Sequence, residues 1–185
     1  MKLPVLETRR LILRPAHPRL AKKTAAFYEK NKGFLQPFEP KYDPDFTTVA
    51  YQKALLKADA RAARDNTGLR YWLFRKEDPD TAIGCVAFTS ITWGAFRSAT
   101  LAYKTDRDLL RQGYAAEALE AMVALAFEGL GLHRLEASIM PRNAASLALV
   151  RKCGFSEEGR SPRYIRINGV WEDHIHMVRL NEEGE

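Results

Sequence analysis

The chain has 185 residues, of which 46% are apolar and 28% charged, so one compact domain spanning 1–185 is expected and disordered, collagenous or coiled-coil classes are excluded. No apolar run approaches the ~20 residues needed to cross a bilayer, and the start Met1-Lys2-Leu3-Pro4 lacks the apolar stretch of a signal peptide; a cytoplasmic protein without membrane contact is expected. Cys85 and Cys153 are then expected as free buried thiols, with neither disulfide nor metal. The net charge of +6 is unevenly spread, because residues 1–33 hold nine basic side chains (Lys2, Arg9, Arg10, Arg14, Arg19, Lys22, Lys23, Lys30, Lys32) against Glu7 and Glu29. Such a segment either steers the protein toward RNA or another polyanion or is simply a solvated face.

In chain order, Arg10–Arg14 reads as a short strand ending at Pro15, followed by a helix from Leu20 to Lys30. Gln36-Pro37-Phe38-Glu39-Pro40 reads as an ordered loop, and Thr47 to Asp65 as a helix stopped by Asn66-Thr67-Gly68. Arg70–Arg75, Ala82–Ser90 and Arg97–Thr105 predict an antiparallel meander, separated by Asp78-Pro79-Asp80 and Trp93-Gly94. From Gly113, the residues Leu119, Met122, Val123, Ala126, Phe127 and Leu130 recur at helical spacing, and Gly129 or Gly131 ends that helix. His133–Met140 is the next strand, Asn143 is placed to cap a helix running to Lys152, and Gly154 supplies its stop. A last hairpin is expected to pair Tyr164–Ile167 with His174–Leu180 across Asn168-Gly169. The order predicts a mixed α/β sheet of about seven strands with about four helices. It is mainly antiparallel, with one parallel pair flanking the Gly113 helix.

Two segments carry candidate chemistry. Arg111-Gln112-Gly113-Tyr114-Ala115-Ala116 lies between a strand and a helix start, where several backbone N–H groups lack a helical partner. Gly113 permits close approach, Ala115 and Ala116 leave the helix mouth open, and the dipole favours an anion such as pyrophosphate. A plain glycine turn has the same local pattern, and neither a Walker loop nor a dinucleotide fingerprint is present. Asn143-Ala144-Ala145-Ser146 reads as helix capping or as a ligand contact. The alternation of strands and helices brings both helix starts to one end of the sheet, where a splayed parallel pair can hold an extended ligand.

Leu6–Leu11, Phe34–Pro40, Ile83-Gly84, Gly113–Leu119, Asn143–Ser146, Gly154-Phe155 and Asn168–His174 together resemble the GNAT superfamily of acetyl-CoA-dependent N-acetyltransferases. More narrowly, the chain resembles the ribosomal-protein-alanine N-acetyltransferases of the RimJ and RimL type. The resemblance implies acetyl-CoA as co-substrate, held by the Gly113 segment and by Asn143. It further implies that the backbone of Tyr103, Lys104 and Thr105 pairs with the pantetheine arm and that an N–H there stabilises the thioester oxyanion. Leu110 stands where the family pattern has Gln or Arg, which removes a polar residue from the rim. By the same resemblance acetyl transfer is direct, Ser146 protonates the departing sulfur, and Cys153 is not a nucleophile.

For the acceptor side, Glu39 in the family's acceptor-facing loop can take a proton through water or orient an ammonium; a merely solvated glutamate is the alternative. Phe38, Tyr164 and Trp171 are expected to wall a cleft between that loop and the last hairpin. His174, His176 and His133 have ordinary structural explanations. The acceptor is expected to be a protein or peptide N-terminus, with Ala- or Ser-initiated ribosomal proteins and ribosome association among the candidates, taken by a monomer or homodimer. A small amine such as a polyamine, amino acid or antibiotic is the alternative, and an RNA-associated factor with a vestigial CoA site is the reading from another class.

Overall fold

The computed structural model describes residues 3–182. Its strands are β1 (Leu6–Glu7), β2 (Leu11–Pro15), β3 (Leu69–Arg75), β4 (Asp78–Thr92), β5 (Ser98–Thr105), β6 (Arg134–Ile139), β7 (Ser156–Ile167) and β8 (Val170–Leu180). The helices are α1 (Ala21–Leu35), α2 (Val49–Arg64), α3 (Tyr114–Ala124) and α4 (Ala144–Lys152). All eight strands form one sheet in the order β1-β2-β3-β4-β5-β6-β8-β7. β1, too short to show a period, is the strand beyond the seven expected.

Strand alternation sends successive side chains to opposite faces, and each face is covered. Leu11, Leu13, Tyr71, Leu73, Val86 and Phe88 pack with Leu119, Met122 and Val150 under α3 and α4. On the other face, Trp72, Phe74 and Cys85 pack with Phe27, Tyr28, Leu35 and Leu56 from α1 and α2. Both cysteines are free and buried, one in each layer. Among the described residues no helix is long and apolar enough to cross a membrane.

Among the described residues only β5 and β6 run parallel, and their ladder covers just Ser98–Thr100 against Arg134–Glu136. Beyond it the strands separate: Leu101–Thr105 pair only with β4, and Ala137–Ile139 only with β8. This is the expected splay. The Asp106 N–H bonds the Ile83 carbonyl on β4, so by alternation the backbone groups of Lys104 face β4 while those of Tyr103 and Thr105 face the gap.

Four local expectations need correction. Asp78-Pro79-Asp80 does not separate β3 from β4; the turn is Lys76-Glu77, and the three residues begin β4 inside a register shift between Arg75↔Asp78 and Phe74↔Ala82. A bulge tolerates proline because no ladder donor is required there. α1 runs past Lys30 to Leu35, since the Asn31 side chain, instead of breaking the helix, donates to the Phe27 carbonyl and accepts from the Arg107 N–H. Gln36–Phe38 is a 3₁₀ turn rather than loop. In the last hairpin Asn168 and Gly169 both have positive φ (44° and 88°), a tight turn that makes Val170–Glu172 the partners of Ile165–Ile167; His174–Val178 pair instead with Ser156–Ser161.

β4 approaches β5 closely at Gly84, where a Cβ would lie 2.4 Å from the Lys104 carbonyl oxygen and 3.2 Å from the Thr105 Cα. Gly84→Ala is expected to destabilise the fold by ~1–3 kcal/mol, because both blocking atoms are backbone. Chemical denaturation checks this, and an unchanged midpoint refutes it.

Candidate active site

At the mouth of the gap, the segment before α3 turns through positive φ at Arg111 (60°) and Gly113 (83°). Gly113 is the N-cap and supplies no side chain, so the N–H groups of Tyr114, Ala115 and Ala116 have no hydrogen-bond partner among the described residues. The first helical bond is Glu117 N–H to the Gly113 carbonyl. Arg10 packs beside this loop: its guanidinium donates to the Gln112 carbonyl at 2.9 Å, lies 4.3 Å from the centre of the Tyr114 ring, and pairs with Glu117 at 2.7 Å. Glu117 also accepts from the Thr8 hydroxyl and the Arg10 N–H, tying the β1–β2 turn to α3. Free amides, a helix N-terminus and an adjacent guanidinium suit an anionic ligand. Leu110 is exposed and contributes no polar group to the rim.

The start of α4 lies on the other side of the gap. Asn143 caps it by accepting from the Ser146 N–H at 3.2 Å. The Ser146 hydroxyl is not used for capping; it hydrogen-bonds the phenol of Tyr103, which also lies 3.1 Å from the Ser146 carbonyl oxygen. Burial raises the Tyr103 phenol to about 12, against the opposing effect of Ser146. It therefore remains protonated at physiological pH. The sequence reading assigned only the backbone of Tyr103.

Lys104 projects to the opposite face, toward α1, and its ammonium pairs with Glu39 at 2.9 Å, lying 5.3 Å from the centre of the Tyr28 ring. Their side chains are 11% and 23% exposed, so Glu39 is neither free nor fully solvated. Burial opposes the lysine's charge, but Tyr28 and Glu39 more than offset it and hold its pKa well above the ordinary value. Burial likewise pushes the Tyr28 phenol up to about 12. The pair borders a cavity of about 260 Å³ between α1, α2 and the sheet, also lined by Tyr42, Phe46, Trp72 and Arg70. Arg70 is paired with Asp59 at 3.0 Å.

The expected aromatic wall is only partly assembled. The hairpin does close on the Glu39 segment, because the Asn168 N–H donates to the Glu39 carbonyl at 2.9 Å. Arg142 reinforces this, donating to the Pro37 carbonyl and to Glu172 while lying 5.5 Å from the centre of the Phe38 ring. Tyr164 packs on His174 and His176, at ring separations of 5.8 and 4.9 Å. Trp171 pairs with Arg166 on the strand face opposite to His174 and is exposed. Phe38, Tyr164 and Trp171 do not line the 260 Å³ cavity; of the predicted acceptor residues only Glu39 does.

Of the nine basic side chains of the N-terminal segment, four are paired with carboxylates, while Arg9, Arg14, Arg19 and Lys22 have no acidic partner among the described residues. Arg10, Lys23 and Lys32 pair with Glu117, Asp80 and Glu29, and Lys30 with both Asp106 and Asp108. Lys2 lies outside the described residues. The Lys30 pairs and the Asn31–Arg107 bond also anchor α1 to the connection between β5 and α3, linking the two halves of the site.

Residues 10–156 match the family model of the acetyltransferase (GNAT) domain. The chain belongs to this family. It is 31% identical over 172 residues to the ribosomal protein uS5-alanine N-acetyltransferase of Escherichia coli (strain K12), covering 92% of this chain and 87% of that protein. Ribosomal-protein-S5-alanine acetyltransferase from Vibrio fischeri superposes with a TM-score of 0.93 at 27% identity, over 99% of this chain and 100% of that one. Mycobacterium smegmatis RimJ, solved in complex with CoA-disulfide, gives 0.88 at 28% identity, over 94% and 83% of the two chains. The protein is thus an N-acetyltransferase of the GNAT fold, similar to enzymes of the RimJ type.

Proposed function

We propose that this enzyme moves an acetyl group from acetyl-CoA directly to the α-amino group of a protein or peptide N-terminus, with Ala- or Ser-initiated ribosomal proteins as the acceptor class. The observation that carries the reading is the arrangement around β5: one side of the strand faces the amide-lined gap, and the other places a held carboxylate beside a cavity. The kinship with alanine N-acetyltransferases supports the acceptor class.

In this reading the pyrophosphate lies on the amides from Arg111 to Ala116, and the pantetheine pairs with the gap-facing groups of Tyr103 and Thr105. A neutral amine attacks the thioester carbon, whose oxyanion accepts an N–H from β5. The C–S bond then breaks with its electron pair on sulfur, and Ser146 supplies the proton. The proton lost by nitrogen passes to Glu39 through water. Lys104 holds that carboxylate in place, because two opposite charges with little solvent between them attract strongly.

The test is acetyl transfer to short Ala- or Ser-initiated peptides compared with polyamines and amino sugars. Peptides are expected to be preferred, and Glu39→Gln should lower kcat/KM for them about tenfold or more, the loss of a hydrogen bond to a charged group. Assays belong below the variant's unfolding transition, since Lys104 loses its partner. Turnover of small amines alone, with Glu39→Gln silent on peptides, refutes both assignments.

A further inference from the structure

The phenol of Tyr103 reaches the Ser146 carbonyl at 3.1 Å, which already ties β5 to α4, so its contact with the Ser146 hydroxyl is not needed to hold the two elements together. The Tyr103 ring packs against the α3–α4 core, and a phenylalanine would fill that space equally. α4 is capped by Asn143, so its start does not need the Ser146 hydroxyl. Each hydroxyl has the Ser146–Tyr103 pairing as its side-chain contact among the described residues, at the point where the gap between β5 and β6 meets the first turn of α4.

A serine hydroxyl left alone samples three staggered rotamers and points its proton freely. The single phenol proton, shared between the Ser146 carbonyl oxygen at 3.1 Å and Oγ, removes that freedom. It occupies one serine lone pair and directs the serine's own proton elsewhere.

We infer that Tyr103 is a positioning residue for acetyl transfer, donating to Ser146 Oγ so that the serine proton points into the gap toward the departing sulfur. This rests on Ser146 being the proton donor proposed above. As the C–S bond breaks, its electron pair stays on sulfur, the Ser146 O–H bond breaks, and its proton goes to sulfur. The Tyr103 O–H stabilises the oxygen left behind until solvent water returns a proton to it.

Tyr103→Phe, Ser146→Ala and the double variant test this with acetyl-CoA and whichever of the above amines turns over, under conditions where chemistry limits the rate. Tyr103→Phe should lower kcat about fivefold, the equivalent of one net hydrogen bond, with KM for acetyl-CoA unchanged. In the Ser146→Ala background the same change should cost nothing further, because the phenol acts only through the serine. If Ser146→Ala is slow but Tyr103→Phe is within twofold of wild type, if the loss appears only in acetyl-CoA affinity, or if the two losses multiply, the role of Tyr103 is overturned while that of Ser146 stands. If Ser146→Ala is itself silent, the proton-donor reading falls and Tyr103 falls with it.

Discussion

Ser146→Ala should lower kcat at least a hundredfold while leaving CoA affinity within about twofold, since general-acid catalysis contributes roughly 10²–10⁴-fold. The substitution is well suited to isolating chemistry from folding. Asn143 accepts from the backbone N–H of residue 146, so the cap survives the loss of the side chain. Alanine has the best helix propensity of any residue, and the site is only partly buried, so no large cavity forms. The Tyr103 phenol loses its bond to Oγ but retains the carbonyl of residue 146 at 3.1 Å as an acceptor, which spares it from being stranded. Single-turnover rates with saturating acetyl-CoA, beside calorimetric CoA titration, separate the two quantities. A variant with near-normal chemistry would reduce Ser146 to a residue at a helix start.

The parts of this site that were legible in the sequence are those where local chemistry decides the outcome. Gly113 before two alanines announces an open helix mouth, and Asn143 three residues ahead of Ser146 announces a cap; both lie where they were expected. The parallel pair followed from a strand, helix and strand in succession, and its splay is the feature on which the rest depends. The pairing of Lys104 with Glu39 was not legible. It joins residues 65 positions apart across two layers, and a lysine in a strand between a tyrosine and a threonine gives no sign of facing a half-buried carboxylate. The partnership of Tyr103 with Ser146 was hidden for the same reason. Strand alternation tells which residues share a face, but not what a helix from elsewhere in the chain will set against them. Residues 156–160 also escaped notice, because β7 is an edge strand whose exposed Ser-Glu-Glu-Gly-Arg start lacks the apolar alternation by which strands are found.

Gly113→Glu should weaken CoA binding at least tenfold. Residue 113 has φ of +83°, a left-handed conformation that costs an L-residue roughly 1–2 kcal/mol. A Cβ there would come 3.2 Å from Arg10 Nη2, the guanidinium that also holds the Gln112 carbonyl and Glu117. The new carboxylate would compete with Glu117 for Arg10 and place negative charge beside the free amides of Tyr114, Ala115 and Ala116, where a pyrophosphate needs them. Gly113→Asn separates these effects. Asparagine tolerates positive φ better than most residues and brings no charge, so its loss of affinity should fall between those of glycine and glutamate. Calorimetry with CoA, supported by thermal unfolding of each variant, reads the order directly. An intact Gly113→Glu protein that binds CoA as wild type does would remove the pyrophosphate from this loop. Equal losses in the two variants would assign the effect to backbone conformation and not to charge.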